Sequence, residues 1–322
     1  MNGNKTNNIA IIGAGSFGCA ILSALQDKKN NNITMFFKEE DDFKYVKTNG
    51  RHPKMNIKFN ENVKITQDLS TAILSAEYIF LVVPFCFAKS VIHEIHDILK
   101  TKNNTTEEEI TIIDCCKGIL NEEPFFLHKI IEKTLNTKNV VVLSGASFAD
   151  EMCEKKETLV DLASKDKVCA SKVANLFSEF LKTQFSDEIE ATQLLGAMKN
   201  ILAISNGFNA HNNSINSLVA NTVLFLNEVR DIFTSLKYKT NILLSSAGIG
   251  DIILTSFSLK SRNQTFGQLL SKDKKQAKDY LKNNTVEGYN ATFAILNFLK
   301  YHNIKAKRLT DIYNMLTTME VD

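Results

Sequence analysis

Lys199 sits in the stretch QLLGAMKNILAISNG (193–207), where Leu194, Leu195, Met198, Ile201 and Leu202 recur at helical spacing. A helix with that pattern buries most of its surface. A lysine carried inside must find a partner or lose its proton. Either its flexible stem reaches back to water, or its charge serves chemistry. Asn200 stands beside it. A second group of candidate residues is in SSAGIGDIILTSFSLKSRNQTFG, where Asp251 follows a glycine turn, Thr255 and Ser256 come next, and Ser261, Arg262, Asn263 and Gly267 close the segment.

Arginine is scarce, which makes Arg262 informative. The other arginines are Arg51, Arg230 and Arg308, whereas Lys+Arg together number 38. A lysine-biased sequence that retains an arginine can be asking for a planar fork, as phosphate or carboxylate recognition does. A surface arginine in a polar loop is the plain alternative. His93 and His96 lie i, i+3 on a helix whose Val91, Ile92, Ile95, Ile98 and Leu99 form the buried stripe, so they read as a solvated face. His52, His128, His211 and His302 are scattered. The expectation is no metal and no nucleophile–histidine pair.

The elements that must position these residues are legible in outline. IAIIGAGSFGCAILSAL places Gly13, Gly15 and Gly18 directly after a strand and at the start of a helix. Gly13 permits the tight turn, Gly15 lets backbone amides approach a pyrophosphate, and Gly18 lets the helix pack closely on the strand. The helix N-terminus then favours phosphate charge. The second strand ends in FFKEEDD. A carboxylate at that position selects the ribose hydroxyls of NAD and a cation accommodates the 2′-phosphate of NADP. Lys38 followed by Glu39 and Glu40 leaves NAD or NADP open. Lys117 and Gly118 end the strand EITIIDCCKG, and Gly145, Ser147 and Ala149 follow the strand NVVVLSG; both could flank a ligand or be ordinary turns.

Apolar strands at 8–13, 32–37, 76–84, 109–118 and 139–145 alternate with helices, and ETLVDLASKD leads into a helix VCASKVANLFSEFLK (168–182). The pattern predicts an α/β fold: an N-terminal Rossmann-type, doubly wound, mostly parallel sheet over residues 1–190. An all-helical C-terminal domain follows over 191–322. TKNNTTEEE (101–109) reads as a solvated acidic loop. SKDKKQAKDYLK (271–282) reads as a lysine-rich helix face.

Composition bounds the partners. The chain has 322 residues, 44% hydrophobic and 23% charged, with a net charge of +2. That charge is too small to argue for nucleic acid or an anionic membrane as main partner. No apolar run is long enough for stable membrane insertion, and no signal or transit peptide is read at the N-terminus. Cys19, Cys86, Cys115, Cys116, Cys153 and Cys169 show no CxxC spacing and read as free thiols in a reducing cytoplasm. Successive strand residues point to opposite faces, so Cys115 and Cys116 are not expected to pair.

The motifs GAGSFGCAI, LVVP, CCKG, SGASFADE, LLGAMKNILAISNGF, GIGDIILT, SRNQTFG and VEGYNA run in order over about residues 8–295. Together they make the chain resemble the NAD(P)-dependent glycerol-3-phosphate dehydrogenases. The resemblance implies that Lys199 is the catalytic acid/base, with Lys117 and Asp251 beside it. It implies that Lys117, Gly145, Ser147, Lys199, Asn200, Asp251, Ser261, Arg262 and Asn263 line the substrate, with Arg262 on its phosphate. Cofactor contacts would come from Gly13, Gly15, Ser16, Phe17, Gly18, Lys38, Lys117, Ala149, Arg262, Thr285 and Glu287. Ala146 stands where the family usually has proline, Lys38 where arginine is commoner, and Phe17 where tryptophan or tyrosine is frequent.

The reaction so implied is hydride transfer between nicotinamide and a triose phosphate, supplying glycerol phosphate for phospholipid synthesis. Desolvation and a neighbouring Lys117 would lower the Lys199 pKa to roughly 7–8, where acid and base forms are both accessible. Asp251 would oppose that shift while fixing the amine in place. A homodimer is expected. The competing readings are another dehydrogenase of similar layout acting on a hydroxy acid, and a non-catalytic NAD(P)-binding redox sensor.

Overall fold

The computed structural model describes residues 6–101, 110–210, 214–258 and 261–318. The chain forms two units, Met1–Cys116 with Leu127–Ile189, and Lys117–Phe126 with Glu190–Asp322. The acidic run at 102–109 lies outside the described residues.

In the first unit, strands and helices alternate: β1 (Asn7–Ile12), α1 (Ser16–Leu25), β2 (Asn31–Phe36), α2 (Glu40–Asn49), β3 (Val63–Thr66), α3 (Leu69–Ile73), β4 (Tyr78–Leu81), α4 (Phe85–Lys100) and β5 (Thr111–Asp114). Then come α5 (Leu127–Thr134), β6 (Val140–Ala146), α6 (Ala149–Cys153), β7 (Thr158–Ala163), α7 (Lys167–Ala174) and β8 (Leu181–Ser186). The sheet order is β3-β2-β1-β4-β5-β6-β7-β8. All neighbours are parallel except β6 and β7, which are antiparallel. The connection from β6 to β7 holds only the five-residue α6, too short for the crossover a parallel pair needs. Ile9, Ala10, Ile11 and Ile12 are all buried, so both sides of β1 are covered, as its unbroken apolar run predicts. The order reverses between β1 and β4, and a doubly wound sheet binds ligands at the carboxyl ends of such a pair.

Two expectations for this unit are corrected. The helix expected over 168–182 ends at Ala174, and the chain then turns into β8. Val173, Leu176, Phe177 and Leu181 are buried and mimic a helical stripe, although the last of them begins an edge strand. β3, four residues long, was not anticipated. Cys115 and Cys116 follow β5 rather than lie in it, and both are buried.

The second unit contains α8 (Ile189–Asn209), α9 (Ile215–Ser235), α10 (Asp251–Phe257), α11 (Arg262–Lys272), α12 (Lys274–Asn283), α13 (Glu287–Tyr301) and α14 (Lys307–Thr317). The lysine-rich face expected over 271–282 is broken at Asp273, whose carboxylate caps α12. α8 is the central helix, with Leu194, Leu195, Ala197, Met198, Ile201, Leu202 and Ile204 all fully buried. It meets α11 backbone to backbone: a Cβ on Gly267 would lie 2.1 Å from the Ile204 carbonyl oxygen. The division at residue 190 misses the segment Lys117–Phe126, which groups with the helices. Phe125 and Phe126 explain this, since their rings stack edge-on against Phe298 at 5.3 and 5.4 Å. Such aromatic pairs contribute about 0.5–1.5 kcal/mol each beyond burial. Among the described residues, no helix is long and apolar enough to cross a membrane.

Candidate active site

The buried charges of the helical unit converge on Asp251, the first residue of α10. Its Oδ1 accepts from Lys199 Nζ at 2.6 Å and its Oδ2 from Lys117 Nζ at 3.1 Å. Lys199 also donates to Thr255 Oγ1 at 3.1 Å, and that hydroxyl donates to Asp251 Oδ1 at 3.2 Å. The side chains of Lys199, Lys117 and Asp251 are 7%, 19% and 2% exposed. Lys199 is delivered by α8, Lys117 by the segment after β5, and Asp251 and Thr255 by one turn of α10. The turn before α10 needs Gly248, where a Cβ would lie 2.5 Å from the Ile242 and Leu243 carbonyl oxygens.

One carboxylate bridges the two ammonium groups, and Glu287 adds negative charge that acts on Lys117. The deeper amine yields. Burial, reinforced by the charge of Lys117 and opposed by Asp251, pushes the Lys199 pKa down to about 8. For Lys117, burial pulls downward, but the charge and hydrogen bond of Asp251 outweigh it and raise the pKa above the usual lysine value. For Asp251, burial pushes upward, but the two lysines outweigh it and hold the carboxyl below its usual range. A buried amine that titrates near neutrality can take and give a proton at one fixed point.

Asn200, next to Lys199, is held by neighbouring helices. Its Nδ2 donates to Glu287 Oε2 at 3.1 Å, and its Oδ1 accepts from Asn263 Nδ2 at 3.0 Å. Asn263 Oδ1 in turn accepts from the Gly288 amide at 2.9 Å. Gly288 allows this approach, since a Cβ there would lie 2.5 Å from the Asn200 carbonyl oxygen. α8, α11 and α13 are thereby locked at the level of Lys199. Ser261 is the N-cap of α11, its Oγ accepting from the Gln264 amide at 3.3 Å. Arg262, in the first turn of α11, is exposed, as is Thr285 just before α13.

In the first unit, Gly13 has φ +118°, and a Cβ there would lie 2.3 Å from the Val82 carbonyl oxygen, beside the end of β4. Gly18 is packed equally tightly, 2.0 Å from the Gly13 carbonyl oxygen. Gly15 differs: among the described residues, nothing lies within 4 Å of its Cβ position. It is the N-cap of α1 and has no side-chain cap bond, and Gly15 and Ser16 are exposed while Phe17 is half-buried. Open space over an uncapped helix N-terminus fits the pyrophosphate of a dinucleotide. Lys38 is exposed after β2, and Glu40 pairs with Lys44 at 2.6 Å. Gly145 lies in β6, Ser147 Oγ donates to the Gly145 carbonyl at 3.1 Å, and Ala149 opens α6. Among the described residues, no group of three or more His, Cys, Asp or Glu could hold a metal ion.

Comparison with known proteins matches both halves of the chain. The family models described as NAD-dependent glycerol-3-phosphate dehydrogenase N-terminus and C-terminus match residues 8–170 and 188–320. The chain belongs to this dehydrogenase family. It is 31% identical to the glycerol-3-phosphate dehydrogenase [NAD(P)+] of Malacoplasma penetrans, over 96% of this chain and 92% of that protein. The corresponding protein of Neorickettsia sennetsu is 29% identical, over 95% and 88%. The crystal structure of the glycerol-3-phosphate dehydrogenase of Coxiella burnetii aligns with a TM-score of 0.86 at 26% identity, covering 98% and 95%.

The family match extends to residue 320, beyond the motifs, which end near residue 295. It does not favour the hydroxy-acid or redox-sensor readings. Within the dehydrogenase's helical unit, Lys117, Lys199 and Asp251 meet directly, and Asn200, Asn263 and Glu287 form the adjoining lock. Thr255 was noted in the sequence but given no role. Its place four residues after Asp251 on a helix was the available signal.

Proposed function

We propose that this chain interconverts dihydroxyacetone phosphate and sn-glycerol 3-phosphate with NAD or NADP, and that Lys199 is its acid/base. The supporting observation is the buried Lys199–Asp251 pair with its amine poised at about 8. When bound, the nicotinamide supplies or accepts the hydride. Two of the three N–H bonds of the Lys199 ammonium are engaged by Asp251 and Thr255, and the third is left for the substrate oxygen. In reduction, that N–H stabilises the negative charge growing on the carbonyl oxygen and then delivers its proton. In oxidation, the neutral amine presents a lone pair in the same direction and removes the hydroxyl proton. Asp251 and Thr255 hold Nζ fixed in both states, which avoids reorganisation during the reaction.

Arg262 is assigned to the substrate phosphate, so that binding energy remote from the reacting carbon orients the carbonyl. Substrate contact by Gly145, Ser147, Ser261 and Asn263 rests on the family resemblance, as does cofactor contact by Lys38, Ala149, Thr285 and Glu287. Gly13, Gly15, Ser16, Phe17 and Gly18 are assigned to the cofactor's phosphates. We place the enzyme in the cytoplasm, feeding glycerol phosphate to phospholipid synthesis. A homodimer is supported by α9, where Ile215, Val219 and Val223 are exposed at i, i+4 and i+8. The test is absorbance at 340 nm with dihydroxyacetone phosphate and each reduced cofactor in turn. Turnover with at least one cofactor is expected. Turnover on a hydroxy or keto acid and none on the triose phosphate would overturn the proposal.

A further inference from the structure

A hollow of about 990 Å³ in the first unit is lined by Lys129, Lys133, Lys138 and Lys165, with Glu132 and Asp166. Lys129 and Lys133 lie one turn apart on α5, Lys138 precedes β6, and Lys165 follows β7. The hollow thus opens at the start of β6, the end of the sheet opposite the glycine loop. Its walls are tied together. Ser164 Oγ donates to the Val140 carbonyl at 2.8 Å, and Thr137 Oγ1 to the Ile110 carbonyl at 3.2 Å.

The carboxylates do not cancel the lysines. Asp166 is occupied as the cap of α7, accepting from the Val168 amide at 2.8 Å. Glu132 reaches Lys165 at 3.6 Å. Among the described residues, Lys133 and Lys138 have no ion-pair partner. We propose that this hollow is a second ligand site, for a small polyanion built of linked phosphate groups. Its volume suits a small molecule rather than a single ion. Several separated ammonium groups match several phosphate charges as point charges, whereas among the described residues no guanidinium fork lines the hollow to grip a planar carboxylate. Among the described residues, no aromatic side chain lines the hollow, which offers a nucleobase no stacking platform.

The test is calorimetric titration of the full chain with tripolyphosphate, with reduced nicotinamide cofactor at saturation so that the glycine loop is filled. Saturable binding at one site is expected, weakening as salt rises. A Lys133→Glu/Lys138→Glu variant should bind about tenfold or more weakly, equivalent to about 1.4 kcal/mol. Its 340 nm turnover should be unchanged, which verifies folding. A Lys274→Glu/Lys275→Glu variant makes the same charge change on α12 and should bind normally, as should Arg262→Ala. Equal weakening in both double variants would reduce the effect to net charge and overturn the site. Loss in Arg262→Ala alone would move binding to the substrate site. Equal affinity for citrate would overturn the phosphate assignment.

Discussion

Lys199 Nζ and Asp251 Oδ1 stand 2.6 Å apart, joining the central helix α8 to the first turn of α10 inside the helical unit. Because Lys117 holds the other oxygen of the same carboxylate, the pair is a proton store as well as a structural tie.

Asp251→Asn takes the carboxylate from between the Lys199 and Lys117 ammonium groups. Breaking a buried ion pair from one side costs about 3–5 kcal/mol. The loss should be largest near pH 7 and smaller near pH 9, where Lys199 sheds its proton. Denaturant midpoints at the two pH values measure this. An unchanged midpoint at both would mean that the carboxylate does not hold the lysines.

Thr255→Val removes one partner from Lys199 and one from Asp251. A buried donor left unmatched costs about 1–3 kcal/mol. A fall in kcat of about tenfold is expected, since the amine loses one of its two anchors. Thr255→Ser should recover most of it. If serine behaves like valine, the hydroxyl is not the operative group.

The glycine loop separates folding from binding. Gly13→Ala meets the Val82 carbonyl and an unfavourable φ, so it should destabilise the chain by roughly 1–3 kcal/mol or more. Gly15→Ala has free space and should change stability by no more than about 1 kcal/mol. Its cofactor KM should rise about tenfold, because the methyl group occupies the phosphate approach. Thermal melts beside cofactor KM values check the contrast; a Gly15→Ala enzyme with normal KM would place the cofactor elsewhere.

Arg262 is exposed, so Arg262→Ala should leave the melting temperature unchanged. KM for dihydroxyacetone phosphate should rise by about 10-fold or more, as losing a charge-assisted contact of about 1.5–3 kcal/mol implies. An unphosphorylated analogue such as dihydroxyacetone should be little affected. Equal losses on both substrates would argue against a phosphate clamp.

How much of this was legible in the sequence depended on how local each signal is. Lys199 announces itself by standing among Leu195, Met198 and Leu202, and Gly13, Gly15 and Gly18 by their place between a strand and a helix. Thr255 gained a role only when α10 packed against α8. The exchange of Lys117–Phe126 into the helical unit depends on Phe298, far along the chain, and the run PFFLHKII reads locally as one helix. β8 was hidden because Leu176, Phe177 and Leu181 satisfy a helical period until the turn is seen. The engagement of Asn200 by Asn263 and Glu287 required three helices to meet, and no spacing encodes that.

The central claim is that Lys199 carries the proton, and the pH dependence of kcat in both directions tests it most directly. Reduction needs the ammonium, so its kcat should be flat below about 8 and fall as pH rises through that value. Oxidation needs the neutral amine, so its kcat should fall as pH drops through the same value. Lys199→Met should lose about 10²–10⁴ in kcat and show neither limb. A Lys199→Met enzyme that keeps near-normal kcat, or that retains both limbs in its residual activity, would contradict the account.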